Sequence, residues 1–318
     1  MASGGGPCRF GQYNRFHRLV LDEIGFSQVP LLTPNQDEGL YEELGAVGKG
    51  FSRIAWRGIV SIDVLQKRLR EIRPYEKHPG ESEVLYKMYL EKICHALQQR
   101  EGTSTLLKEA CADFNMVALN GAVRKPVIGI VGEIYIRSNK FGNEDLIGNL
   151  ERLGCEVWLP PFTEWLLYTN YTSKWRSFRT GDYKGFFSNF LTNEIQKMSE
   201  HKLTKIFHNS LKMPDEPYTE EIIEKASPYL HPSFEGEAIL SIGKAIDYVD
   251  KGAAGLINTM PFTCMPGTIV NALLKRCRED YDNIPLLNLA YDGQKDSNTK
   301  TRLEAFVYQV RQYRNKTQ

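Results

Sequence analysis

The chain has 318 residues, with 40 lysine plus arginine against 39 aspartate plus glutamate, a formal charge of +1. That balance argues against a broad basic face for nucleic acid, and 42% hydrophobic with 25% charged residues excludes disorder over most of the chain. No apolar run reaches the ~18 residues that a bilayer span needs, Met1 to Arg9 lacks a secretory pattern, and six cysteines are too few for a disulfide scaffold, so a two-domain cytoplasmic protein with reduced thiols is expected.

The N-terminus reads MASGGG and then Pro7-Cys8-Arg9-Phe10-Gly11. Phe10, Tyr13, Phe16, Val20 and Ile24 recur at helical steps and predict one amphipathic helix, stopped by Gly25. Val29 to Leu32 reads as a short strand between prolines. In an alternating α/β chain a strand normally precedes a Gly-rich turn into a helix; none stands before this one. Residues 36–120 read as mainly helical, with Val84, Met88, Tyr89, Ile93 and Leu97 on the apolar side of one helix and breaks at Arg73-Pro74 and His78-Pro79-Gly80.

The texture changes at Arg124. Lys125 to Ile136 (KPVIGIVGEIYI) predicts a buried strand. Asn143 is a candidate cap for a helix running to Leu153, with Glu144 and Asp145 in its first turn. Glu156 to Leu159 predicts the next strand and Phe186 to Met198 a long helix. Ala238, Ile239, Ile242, Ala245, Ile246 and Val249 mark a helix starting near Ser233. Gly255 to Met260 and Ile284 to Ala290 predict two further strands. Pro266 suits the first turn of the helix between them, and Leu303, Phe306, Val307 and Val310 mark the last helix. Strand–helix alternation of this kind implies a parallel sheet with right-handed crossovers. The expected organisation is an incomplete, mostly helical α/β domain over 1–122 and a parallel-sheet α/β domain over 123–318.

Ligands of open α/β sheets gather where strand ends lead into helices. Cys8 and Cys264 occupy turns just before predicted helices, where amides and the helix dipole favour a thiolate and would tune an iron–sulfur cluster. A core role is the alternative for both. Cys94, Cys111, Cys155 and Cys277 read as core residues. No CxxC pair is present, so any metal ligands are brought together by the fold rather than by local spacing. Gly4-Gly5-Gly6 lacks the phosphate-loop pattern. Glu133 and Arg137, at the end of the KPVIGIVGEIYI strand, are candidate pocket residues or a solvated ion pair. Arg9, Asn258, Asn288, Tyr291 and Asp292 are further candidates or simple turn residues, and Glu164-Trp165 falls at the same rim.

GPCRFGQY (Gly6 to Tyr13), GIVGEIYIRSN (Gly129 to Asn139), EVWLPPFTEW (Glu156 to Trp165), HPSFEGEAILSIGKA (His231 to Ala245), MPFTCMPGTIV (Met260 to Val270) and IPLLNLAYDGQ (Ile284 to Gln294) together resemble one family. It comprises the CoA-substrate-specific enzyme activase-related and 2-hydroxyacyl-CoA dehydratase-like proteins, relatives of the 2-hydroxyglutaryl-CoA dehydratase and benzoyl-CoA reductase subunits. The resemblance runs from Cys8 to near the C-terminus. It implies flavodoxin-like domains and a [4Fe-4S] or double-cubane cluster held by three cysteines. Two of these correspond to Cys8 and Cys264. A separate ATP-dependent activase would inject a low-potential electron for reductive chemistry on an acyl-CoA or other small substrate, without nucleic acid or membrane. The third cysteine belongs to a C-x-P-x-K motif, which this sequence lacks. The expectation is that an upstream segment or a second polypeptide supplies it. The alternatives are a non-catalytic scaffold or activase-docking subunit without its own cluster and, last, a small-molecule-binding module.

Overall fold

The structure, a computed structural model, describes residues 12–31, 50–121, 124–293 and 298–317. The chain divides into two compact units, Met1–Trp56 and Arg57–Gln318. In the first, helix α1 (Tyr13–Glu23) ends before Gly25, which takes φ 84°. Its predicted stripe lies at the surface, with Phe16 62% and Ile24 60% exposed.

Helix α2 (Phe51–Ile72) carries the chain onward. In the second unit a 3-10 turn at Arg73–Tyr75 follows it, then α3 (Glu81–Gln98) and α4 (Ser104–Met116). The breaks fall where Pro74 and Gly80 (φ 95°) were expected to place them. The sheet elements then alternate with helices. They are β1 (Val127–Gly132), α5 (Ile134–Ser138), α6 (Leu146–Arg152), β2 (Glu156–Trp158), α7 (Phe162–Arg179), α8 (Tyr183–Thr204), α9 (Thr219–Ala226), α10 (Glu237–Asp250), β3 (Gly255–Pro261), α11 (Met265–Asp280), β4 (Leu286–Tyr291) and α12 (Thr299–Thr317).

All four strands are parallel, in the order β2-β1-β3-β4. Alternation along each strand sends side chains to two faces. Val127, Val131, Trp158 and Leu256 pack against α9, α10 and α11, with Ala238, Ile242, Val270 and Leu274 on the helix side. Ile128, Ile130, Val157, Ile257 and Leu289 pack against α6 and α12, on Leu146, Leu150, Phe306 and Val310. Both faces are covered, which is why these strands read as continuous apolar runs. The chain leaves β1 toward β2 on one side and returns to β3 on the other, so the order reverses between β1 and β3.

Several expectations need correcting. Val29–Leu31 forms no strand. The strand predicted over Lys125–Ile136 stops at Gly132, because φ 111° there breaks the extended run and Ile134 begins a helix. Asn143 does accept from the Leu146 amide at 3.2 Å, but α6 starts only at Leu146. Glu144 and Asp145 precede the helix with φ 53° and 57°, so they are not in its first turn. The helix predicted from Ser233 starts after Gly236. Val84 points outward, at 68% exposure, while Tyr89 and Ile93 carry the buried face. Cys155 and Cys277 are buried in the two cores as expected, whereas Cys94 is exposed and Cys111 half-buried. No helix among the described residues is long and apolar enough to cross a membrane.

Candidate functional site

The carboxyl ends of β1 and β3, where strand order reverses, are the expected ligand edge of such a sheet. Gly132 closes β1. A Cβ there would stand 2.0 Å from the Thr259 carbonyl oxygen and 2.7 Å from Asn258 Oδ1. The Glu133 amide donates to that same carbonyl at 2.9 Å, which carries the β1–β3 pairing one residue past the strand.

Two carboxyls converge on the turn that follows. Glu133 accepts from the Ile136 amide at 2.7 Å and caps the short helix α5. Glu237, the first residue of α10, accepts from the Ile134 amide at 3.1 Å. Burial raises the pKa of both groups, and the Glu133 charge raises Glu237 further. Like charges in one partly desolvated site favour retention of one proton by the pair. Arg137 feels both carboxyls and favours their ionised forms, yet it is not the solvated ion-pair partner that the sequence allowed. It is 4% exposed, and its Nη1 donates to the Gly132 carbonyl at 3.5 Å.

Asn258 is fully buried on β3. Its Nδ2 donates to Asn271 Oδ1 at 2.6 Å and its Oδ1 has no partner. Asn288 stands opposite it in register on β4, and its Oδ1 is also unpartnered. Cys264 is the N-cap residue of α11, two residues after Phe262, and is half-buried. Thr263 before it takes φ 61°, and the Cys264 carbonyl accepts from both the Thr268 amide and the Thr268 hydroxyl at 2.9 Å. The structure therefore places Glu133 just past β1, Arg137 in α5 and Cys264 just past β3, whereas Asn258 and Asn288, expected at strand ends, lie inside β3 and β4. Cys8 and Arg9 lie outside the described residues. Among the described residues there is no group of three or more His, Cys, Asp or Glu side chains placed to hold a metal.

Glu164 does not line the rim. It turns inward to Lys244, which is 1% exposed and holds Glu164 at 3.2 Å and Glu216 at 2.6 Å. Lys67 also pairs with Glu216, and the two lysines hold its carboxyl well below the usual range against the opposing effect of burial. Beside this network, Asp63 receives the Phe162 and Thr163 amides at 3.0 and 2.9 Å, capping α7 from another helix. Burial pushes Asp63 up to about 6. Thr163 donates its hydroxyl to Glu200 at 2.9 Å, and burial, with Asp63 and Glu216 adding to it, pushes Glu200 up to about 7.

A folded-state pKa of about 7 against an ordinary 4.5 means that the contribution of Glu200 to stability is complete below pH 4.5. It is lost as pH rises through 7. Glu200→Gln keeps an acceptor for Thr163 and removes the titration. The variant is expected to match the native protein near pH 4 and to exceed it by on the order of 2 kcal/mol at pH 8. Urea unfolding at the two pH values measures this, and an equal difference at both would refute it.

The sequence reading missed Glu237, Lys244, Glu216, Asp63 and Glu200. A lone lysine inside the apolar stripe of α10 was the one available signal. Comparisons with family models, with curated proteins and with solved structures give no match.

Proposed function

We propose that the chain is the iron–sulfur cluster-binding component of a 2-hydroxyacyl-CoA dehydratase/benzoyl-CoA reductase-like system, receiving low-potential electrons from an ATP-dependent activase in the cytoplasm. The observation that carries the reading is the position of Cys264. The TCMPG motif, one of those that carry the family resemblance, puts its thiol at the N-cap of α11, directly after β3. Helix amides and the helix dipole favour a thiolate there, so this residue fits as one cluster ligand. In the proposal Cys8 is the second, and a C-x-P-x-K cysteine from outside this sequence is the third. The strand order β2-β1-β3-β4 agrees with the first four strands of the flavodoxin-like order and supports that part of the resemblance.

When bound, the cluster would supply one-electron transfer at low potential. The chain's own residues fix the turn that carries Cys264. Phe262 donates its amide to the Tyr291 carbonyl at 2.7 Å and ties the β3 turn to the end of β4. The paired carboxyls Glu133 and Glu237 would hold a proton at the ligand edge.

Anaerobic reconstitution with iron and sulfide, read by metal analysis and EPR, tests the reading. The isolated chain should bind fewer than ~4 irons, the full complement of a single cubane. Cys264→Ser and Cys8→Ser should each lose most of the bound iron, while Cys94→Ser, at an exposed position, should retain it. Full iron on Cys264→Ser would overturn the assignment. A chain that takes no cluster yet binds an ATPase partner would instead be a docking subunit.

A further inference from the structure

Arg137 is buried without the compensation that buried guanidinium groups require. Taking such a cation out of water costs several kcal/mol unless carboxylates and hydrogen bonds replace the solvent. Arg73, although only half-buried, shows that compensation: it pairs with Glu83 at 2.6 Å and with Glu151 at 2.7 Å. Arg137 is 4% exposed. Among the described residues no carboxylate oxygen lies within 4.0 Å of it. Its one guanidinium hydrogen bond is the long 3.5 Å contact to the Gly132 carbonyl, and Nε has no partner.

The two carboxyls that feel its charge are committed elsewhere. Glu133 Oε2 takes the Ile136 amide and Glu237 Oε1 takes the Ile134 amide. A second unsatisfied group lies inside β3, beside the last residue of β1. Asn258 Oδ1, fully buried, has no donor, although Asn258 flanks Gly132 closely enough to meet a Cβ built there at 2.7 Å. A buried cation with a free N–H and a buried acceptor with a free lone pair, each set against Gly132, form a polar set completed from outside the chain. Its place beside the β1/β3 reversal is where α/β sheets take ligands.

We propose that Arg137 is the anchoring residue of a binding site for a small organic carboxylate at the β1/β3 edge. The planar fork of Nε and one Nη matches the two carboxylate oxygens, and Asn258 Oδ1 is available to an O–H or N–H of the same ligand. The proposal does not depend on iron. It makes no use of Cys264, and it is tested on cluster-free protein, so its failure and that of the cluster reading are distinguishable.

The probes are sodium acetate, sodium propionate and inorganic phosphate, titrated into the isotope-labelled full chain with the arginine Nε–H resonances observed. Saturable millimolar shifts of the Arg137 Nε–H with both carboxylates are expected. Arg137→Met should abolish the binding and also raise Tm, because an unpaired buried charge is removed at similar side-chain length. Arg137→Lys keeps the charge without the fork and should weaken binding about tenfold or more. It serves as the test should the methionine variant fail to fold. The proposal is overturned if neither carboxylate binds saturably, if phosphate alone binds, if a folded variant binds carboxylate as tightly as the native chain, or if Arg137→Met folds with a lowered Tm.

Discussion

Lys244→Met is expected to destabilise the second unit by about 3–5 kcal/mol, the cost of removing one partner from a buried ion pair. Lys244 is 1% exposed on α10, between Glu216, Glu164 and Asp247, at 2.6, 3.2 and 3.8 Å. The loss falls unevenly on these partners. Glu216 keeps Lys67, and Asp247 keeps Lys251 at 2.9 Å and Lys225 at 3.8 Å. Glu164, 8% exposed and with Oε1 unpartnered, keeps no other cation within pairing distance among the described residues. The stranded charge is therefore that of Glu164, and Lys244→Met/Glu164→Gln should recover more than half of the loss. Thermal and urea unfolding of the single and double variants measure it. If the double variant is no more stable than the single, the cost lies in packing around Lys244 rather than in an uncompensated carboxylate.

This network also shows where sequence reading stops. The strands were legible because both faces are buried. Val127, Ile128, Ile130 and Val131 form an apolar β-branched run whatever the tertiary partners. The α10 stripe was legible because Ala238, Ile242, Ala245 and Ile246 repeat at helical spacing. Lys244 within it was not interpretable. A lysine in an apolar stripe can extend its head to water, and only the fold brings Glu216, 28 residues away, onto its ammonium group. Asp63 caps α7 across 99 residues of sequence, and Glu237 meets Ile134 across 103. Such pairs leave no local pattern. Glu133 and Arg137 were legible as strand-end charges, but their relation was not. At the strand end they read as either pocket residues or a solvated ion pair, whereas the turn after Gly132 gives Glu133 to a backbone amide and buries Arg137 apart from it.

Gly132→Ala tests the geometry of that turn and is expected to cost about 3–5 kcal/mol, combining left-handed backbone strain with overpacking. The atoms in the way are the Thr259 carbonyl oxygen at 2.0 Å and the Thr259 nitrogen at 2.7 Å, with Asn258 Oδ1 also at 2.7 Å. Two of the three belong to the backbone of the paired strand, so no side-chain rotation relieves the clash. Relief requires β1 and β3 to part at their carboxyl ends, where the Glu133 amide meets the Thr259 carbonyl. Gly58→Ala is the matched control. Its Cβ would meet only the Leu97 Cδ1 methyl, at 2.8 Å. That flexible side-chain end can move, and the gain in helix propensity offsets the shift, leaving a net change within about 1 kcal/mol. Hydrogen exchange separates the two variants independently of global stability. The Glu133 amide should exchange faster in Gly132→Ala and at the native rate in Gly58→Ala. Unchanged protection in Gly132→Ala would mean that the strand pair tolerates the methyl and that the turn carrying Glu133 and Arg137 is not set by Gly132.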